Sequence, residues 1–316
     1  MVKLTLKEGK GFIPVAKIES KDKLNNEVLF INPTMDDDES CSDDDSFDFH
    51  IQDVDYTKYI GKMKPREAVK MQNTLAKHLS KKLLPVEDSM ASVYKKIHHD
   101  SGQDFKIKNG QFVPIPDVNK ERVIYYVFAP SGAGKTHFTA NTLKQWMKLN
   151  PKKDVYVFSK LDDDKIIDDL GGRIKRVRVE TLATDPIDVS DIPEGSMVVF
   201  DDCDCIEDKK VNDAILKLEN SVYQVGRHHK ISVIKTSHLG SDYKRTRVVL
   251  TEAHYIVVYP SSGSFQQIKY VLSHYMGMSN DDIKKIKSLK SRWVLASKHF
   301  PQYVLSEHEA YLLAGS

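Results

Sequence analysis

Between residues 129 and 136 the chain reads Ala129-Pro130-Ser131-Gly132-Ala133-Gly134-Lys135-Thr136, with His137 next. Small residues at this spacing let backbone N–H groups curl around phosphate oxygens, and a helix starting at Lys135 adds the positive end of its dipole. Lys135 can then reach the β- and γ-phosphates of a nucleoside triphosphate, and the Thr136 hydroxyl can bind Mg²⁺. Ala129 stands where a glycine is usual. Alanine fits there if its φ is negative, because Gly132 and Gly134 occupy the tightest part of the turn.

A second group with chemical potential is Asp201-Asp202, which ends the apolar run Met197-Val198-Val199-Phe200. Carboxylates at the end of a buried strand are rare unless paired or bound to metal. Asp201 is expected in the Mg²⁺ shell, through water, and Asp202 as the general base that orients the attacking water. A kinase could use the same Asp on Mg²⁺, so the acid pair alone leaves hydrolysis and phosphoryl transfer both open. Asp204 and Glu207 read as solvent-facing.

The elements that must position these groups show in the apolar patterning. From Arg122 onward, buried-strand runs recur at 123–129, 155–158, 197–200, 231–234 and 253–259. Longer amphipathic segments at 135–149 and 209–226 suit crossover helices, which implies an α/β fold with a mainly parallel central sheet covered by helices. Segments 292–296 and 303–305 read as edge strands finishing that sheet. Ser279, followed by Asp281 and Asp282 and then by four lysines, predicts a capped helix. Before Arg122, residues 1–35 read as short strands, 65–84 as a helix with one lysine-rich face, and the Gly/Asn-containing stretch 100–120 as a connector. The division expected is a smaller N-terminal extension, 1–118, and a nucleotide-binding domain, 119–316.

Past the helix come Gly226-Arg227-His228-His229, the strand Ile231-Ser232-Val233-Ile234, then Lys235-Thr236-Ser237-His238, Arg245, Arg247 and a further strand. This order of phosphate loop, Asp-Asp strand, Gly-Arg-His and Thr-Ser-polar strand end resembles the poxvirus-type DNA-packaging ATPases of large DNA viruses, within the FtsK/HerA superfamily of P-loop NTPases. The likeness covers about residues 119–300. It implies an ATPase that uses ATP and Mg²⁺, forms a homo-oligomeric ring of six or five subunits, and moves double-stranded DNA without sequence preference into a capsid. It implies a polar sensor at His238, where the family often has Gln, and a trans-acting arginine at Arg227, with Arg245 and Arg247 as weaker candidates. The alternatives are a nucleoside or nucleotide kinase, and a slow ATP-binding regulatory module consistent with the unusual Ala129 and His238.

Composition sets the outer bounds. The 316 residues carry 47 Lys+Arg against 45 Asp+Glu, a net of +2, and 40% are hydrophobic, enough to build a core. Ten of the acids fall in 36–55, which holds no Lys or Arg; the remaining 296 residues have 47 basic and 35 acidic side chains, or +12. Such an acidic run is expected to be disordered, and could mask a basic nucleic-acid surface. No stretch approaches the roughly 20 apolar residues of a membrane span, and no apolar leader opens the chain. Three cysteines argue against a disulfide framework. The expectation is an intracellular protein of the host cytoplasm, the viral replication site or the virion, neither secreted nor membrane-spanning.

Overall fold

The computed structural model describes residues 2–33, 103–117 and 119–313. The acidic run at 36–55 and the helix expected over 65–84 lie outside them.

In chain order the strands of the first part are β1 (Lys3–Thr5), β2 (Ile13–Glu19), β3 (Val28–Asn32), β4 (Asp104–Lys106) and β5 (Gln111–Pro114). Then follow β6 (Ile124–Phe128), helix α1 (Lys135–Leu149), β7 (Val155–Ser159), α2 (Lys165–Asp168), β8 (Ile174–Arg178) and β9 (Met197–Asp201). The remainder is α3 (Lys209–Gln224), β10 (Ser232–Ser237), α4 (Tyr243–Glu252), β11 (Tyr255–Val258), α5 (Phe265–Met276), α6 (Asn280–Ser288), β12 (Val294–Ser297), β13 (Tyr303–Ser306) and β14 (Glu309–Leu312).

The strands form two sheets. A four-stranded antiparallel sheet has the order β1-β3-β2-β5, and a ten-stranded sheet has the order β4-β14-β13-β12-β11-β6-β10-β9-β7-β8. Six neighbours in the large sheet, from β11 through β8, are all parallel. The α/β fold expected from the alternating runs is therefore present, and its parallel part is extended by the antiparallel strands β12, β13, β14 and β4.

Every residue of β6, β9, β10 and β11 is buried; β6, β9 and β11 therefore read as apolar runs, while β10 also buries the polar Ser232, Lys235, Thr236 and Ser237. Alternate side chains serve two cores. Ile124, Tyr126 and Phe128 pack with Phe158, Phe200 and the inner faces of α3 to α6. Val123, Tyr125 and Val127 pack with Phe138, Leu143 and Trp146 of α1, and with Val15, Ile18, Leu29 and Phe112 of the small sheet. The small sheet thus shares a core with α1.

Local chemistry fixes the helix starts. Asp208 accepts from the N–H groups of Lys210 and Val211 to cap α3, and Asp242 accepts from Lys244 and Arg245 to cap α4. Ser279 and Asp282 form the reciprocal capping box of α6, the helix expected there. Among these starts α1 differs: Gly134 caps it with no side chain, so its first N–H groups receive no side-chain cap.

Three expectations need correction. Residues 100–120 are not merely a connector, since they contain β4 and β5. The division at 118/119 does not separate the sheets, because β4 pairs with β14 inside the large sheet. Segments 292–296 and 303–305 do not form the edge; β12 and β13 are internal and β4 is outermost. The opposite edge is β8, whose Lys175, Arg176 and Arg178 blunt it against further pairing.

A buried ion pair ties β10 to α3: Lys235 Nζ lies 2.5 Å from Glu219 Oε1, with both side chains almost wholly out of water. Burial opposes the Lys235 charge, but the adjoining carboxylate outweighs it and raises its pKa. Cys203 and Cys205 are free thiols, the first buried and the second exposed.

Candidate nucleotide site

The site forms where the parallel strands end. Register aligns Phe128 of β6 with Ser237 of β10, and Phe200 of β9 with Lys235. Parallel pairing brings the tips of β6, β10 and β9 to one edge, with β10 in the middle. The residues after those tips are the glycine-containing loop, His238 and Asp202.

Ala129 continues the pairing, its N–H donating to the Ser237 carbonyl at 3.1 Å. Its φ is not positive, which explains why a side chain is accepted at this position. Gly132 and Gly134 do adopt the left-handed region, with φ of 76° and 106°. A Cβ at Gly132 would meet no atom within 4 Å, so conformation rather than space requires glycine there.

Lys135 is buried and reaches across the loop mouth. Its Nζ donates to the Ala129 carbonyl at 3.0 Å and lies 3.5 Å from both Asp202 Oδ2 and His238 Nδ1. An ammonium beside Nδ1 requires that nitrogen to accept, so the ring proton sits on Nε2. Nε2 is 3.0 Å from the same Asp202 oxygen and donates to it. Lys135, Asp202 and His238 therefore close a triangle at the mouth of the loop. Asp202 holds its place in the left-handed region, at φ 44° and ψ 34°, a conformation that costs free energy and is commonest at functional sites.

Thr236, fully buried, joins the two acids. Its hydroxyl lies 2.8 Å from Asp201 Oδ1 and 3.0 Å from Asp202 Oδ1, and accepts the Asp202 N–H at 2.9 Å. A hydroxyl has one proton, so only one carboxylate receives it at a time. Asp204 is not solvent-facing as expected: its Oδ2 accepts from Ser237 Oγ at 3.0 Å and from the His238 N–H at 3.1 Å, holding the tip of β10. Thr236 was legible only as a neighbour of His238, and Asp204 not as a site residue at all, since nothing local in the sequence says that β10 lies beside β9. Glu207 is exposed, as expected.

Burial pushes the Asp201 carboxyl above its ordinary range; Asp202 adds to this, while the Thr236 hydroxyl and Lys135 oppose it. A carboxylate so short of compensating charge suits a cation. No cluster of three His, Cys, Asp or Glu side chains that could hold a metal occurs among the described residues. Mg²⁺ needs none: it keeps several waters and binds through one or two carboxylates plus substrate phosphates. The donor set of Thr136, in the first turn of α1, and Asp201 fits that mode.

The raised pKa has a consequence for stability. The folded chain holds this proton more tightly than the unfolded one, so stability falls as pH rises from the ordinary carboxyl value of 3.8 through the folded value. Asp201→Asn removes the penalty and keeps the Thr236 contact. Without nucleotide, its thermal midpoint at pH 7 is expected to rise by a few degrees, with no gain at pH 3; a lowered midpoint at pH 7 would refute the assignment.

Arg227 is not part of this cluster. It lies in the turn before β10, at the other end of the parallel strands, about 20 Å away by strand rise. It is exposed, with Nε 4.0 Å from Glu121 Oε2. Arg245 is closer to the site but bonds Asn212 Oδ1 at 2.5 Å, and Arg247 bonds the Tyr243 hydroxyl at 2.8 Å. Pro130, Ser131 and His137 are exposed along the loop, and Thr136 is half-buried.

A glycine loop between a buried strand and a helix, facing a strand that ends in two acids, makes this the fold of a P-loop NTPase. No family model matches the chain. It is 34% identical over 217 residues to the uncharacterized protein V3 of Sputnik virophage, covering 68% of this chain and 86% of V3. The chain belongs to the V3 family. Among solved structures, it is similar to the genome-packaging NTPase B204 of Sulfolobus turreted icosahedral virus 2 in complex with AMPPCP, at 12% identity and a TM-score of 0.41, covering 59% of this chain and 98% of that one. It is also similar to the cytoplasmic domain of the type VII secretion ATPase EccC of Thermomonospora curvata, at 12% identity and a TM-score of 0.44, covering 68% of this chain and 29% of that one. No helix among the described residues is long and apolar enough to cross a membrane.

Proposed function

We propose that this member of the V3 family is an ATP-hydrolysing motor that moves double-stranded DNA and packages a viral genome into a capsid. One observation carries the hydrolytic part: Lys135, Asp202 and His238 converge within 3.5 Å of one another at the mouth of the phosphate loop.

An entering triphosphate draws Lys135 from Asp202 to its β- and γ-oxygens. This frees an Asp202 lone pair for a water, which His238 helps to orient by fixing the carboxylate. Water oxygen bonds to the γ-phosphorus, the bond to the bridging oxygen breaks, and Asp202 takes the water proton. Thr136 and, through water, Asp201 would hold Mg²⁺, which would supply charge neutralisation on the phosphates. Arg227 would act on a neighbouring subunit's nucleotide in a ring of six or five, since its position excludes its own.

The surplus of +12 outside the acidic run supports contact with DNA phosphates, and implies binding that weakens steeply with salt. The resemblance in motif order supports packaging in particular, with capsid proteins as further partners. ATP turnover measured with and without duplex DNA, beside the mass in solution, tests the whole reading. DNA-stimulated phosphate release by a ring is expected. Phosphate transfer to a nucleoside by a monomer would replace it with the kinase reading, and slow turnover indifferent to DNA with the regulatory one.

A further inference from the structure

We propose that the nucleobase of the triphosphate docks between the phosphate loop and the small N-terminal sheet, in a cavity that no part of the hydrolytic cluster occupies. The inference rests on the triphosphate reading and adds which part of the chain recognises the rest of the nucleotide.

The cavity has a volume of about 210 Å³, and its lining includes Ala133 and Gly134 of the loop, His137 of α1, Phe112 of β5, Tyr259 at the end of β11 and Trp293 before β12. Sheet order decides which end of the nucleotide reaches it. With the order β11-β6-β10-β9, Tyr259 lies on one flank of the loop, and His238 and Asp202 lie on the other. If the γ-phosphate is fixed beside Lys135, Asp202 and His238, the opposite end of the molecule leaves across the start of α1 toward Tyr259. Gly134 faces that ring across the cavity: a Cβ built there would stand 3.9 Å from Tyr259 Cε1.

The walls suit a planar, weakly polar ring and not a phosphate. Trp293 packs edge-on against Phe138, with ring centroids 5.2 Å apart. The one lining arginine, Arg292, is already held by Glu307 at 3.0 Å. Tyr259 is almost wholly buried, and its hydroxyl has no hydrogen-bond partner among the described residues. A buried hydroxyl left unpaired is a cost that a ligand can remove. Size argues the same way: cavities for drug-sized ligands run from about 300 to 1,000 Å³, so this one takes a single ring system and not a second substrate. Phe112 and Gln111 bring β5 into the lining, which gives the N-terminal sheet a part in nucleotide recognition.

Competition binding of Mg·ATP against Mg·tripolyphosphate separates base from phosphate. The full-length wild-type chain is expected to bind ATP at least about tenfold more tightly, the value of one good buried contact set. In Tyr259→Phe, ATP affinity is expected to fall about fivefold to tenfold with tripolyphosphate affinity unchanged and no loss of thermal midpoint, because the deleted hydroxyl has no partner to lose among the described residues. Gln111→Trp, which fills the cavity from β5, is expected to give the same split. Equal wild-type affinity for the two ligands, or variants that weaken both alike, would overturn the base site while leaving the phosphate loop intact. If the wild type binds neither ligand, the triphosphate reading fails and this inference goes with it.

Discussion

In Lys135→Ala, nucleotide turnover is expected to fall by at least about 10²- to 10³-fold, the loss seen when one preorganised donor is removed from a developing negative charge. The fold is expected to survive. Lys135 makes its contacts at the loop mouth, to the Ala129 carbonyl, Asp202 and His238, and none of them ties one secondary-structure element of the core to another. The ligand-free variant should therefore unfold in one transition at close to the wild-type midpoint, and equilibrium binding should show weakened affinity for ATP and tripolyphosphate together. That joint loss distinguishes it from Tyr259→Phe, in which only ATP affinity changes. Normal turnover in Lys135→Ala would remove the loop from the chemistry.

The second large effect belongs to Asp202. Asp202→Asn keeps the shape of the side chain, but its amide cannot take a proton from water. Turnover is expected to drop about 10²- to 10⁴-fold, the usual contribution of a positioned general base, while ATP affinity stays within a few fold. The left-handed backbone at Asp202 is compatible with asparagine, which tolerates that region better than most residues. Loss of folding is therefore not expected to confuse the result. Single-turnover phosphate release beside equilibrium nucleotide binding reads both quantities. Turnover retained with the amide in place would shift the base to Asp201, with a different path for water.

The features that position the chemistry were largely open to sequence reading, and for a physical reason. Strands buried on both faces have no freedom to alternate, so β6, β9 and β11 announce themselves as apolar runs, β10 shows only through the short run 231–234, and the loop and acid pair follow at the ends of β6 and β9. Features that depend on distant pairing were hidden. β4 and β5 are short, lie near Gly110, and find their partners in β14 and β2. β8 carries Lys175, Arg176 and Arg178 beside the half-buried Ile174 and Val177 because it is an edge, and such a polar stretch resembles a loop. Asp204 looked like one more acid in a solvated run. The tight turn at Cys203–Cys205 folds it back onto Ser237 and the His238 N–H, a contact set by sheet order and not by neighbours in the chain. The lining of the cavity beside the loop was equally invisible, since the antiparallel pairing of β11 with β12 brings Tyr259 to Trp293, and the packing of the small sheet on α1 adds Phe112.

The position of the γ-phosphate decides the account most directly. A crystal structure of the full chain with Mg²⁺ and a non-hydrolysable ATP analogue is expected to show Lys135 turned from Asp202 onto the β- and γ-oxygens, within about 3 Å, and His238 still bonded to Asp202. Phosphates bound elsewhere, with Lys135 still paired to Asp202 across an empty loop, would contradict it.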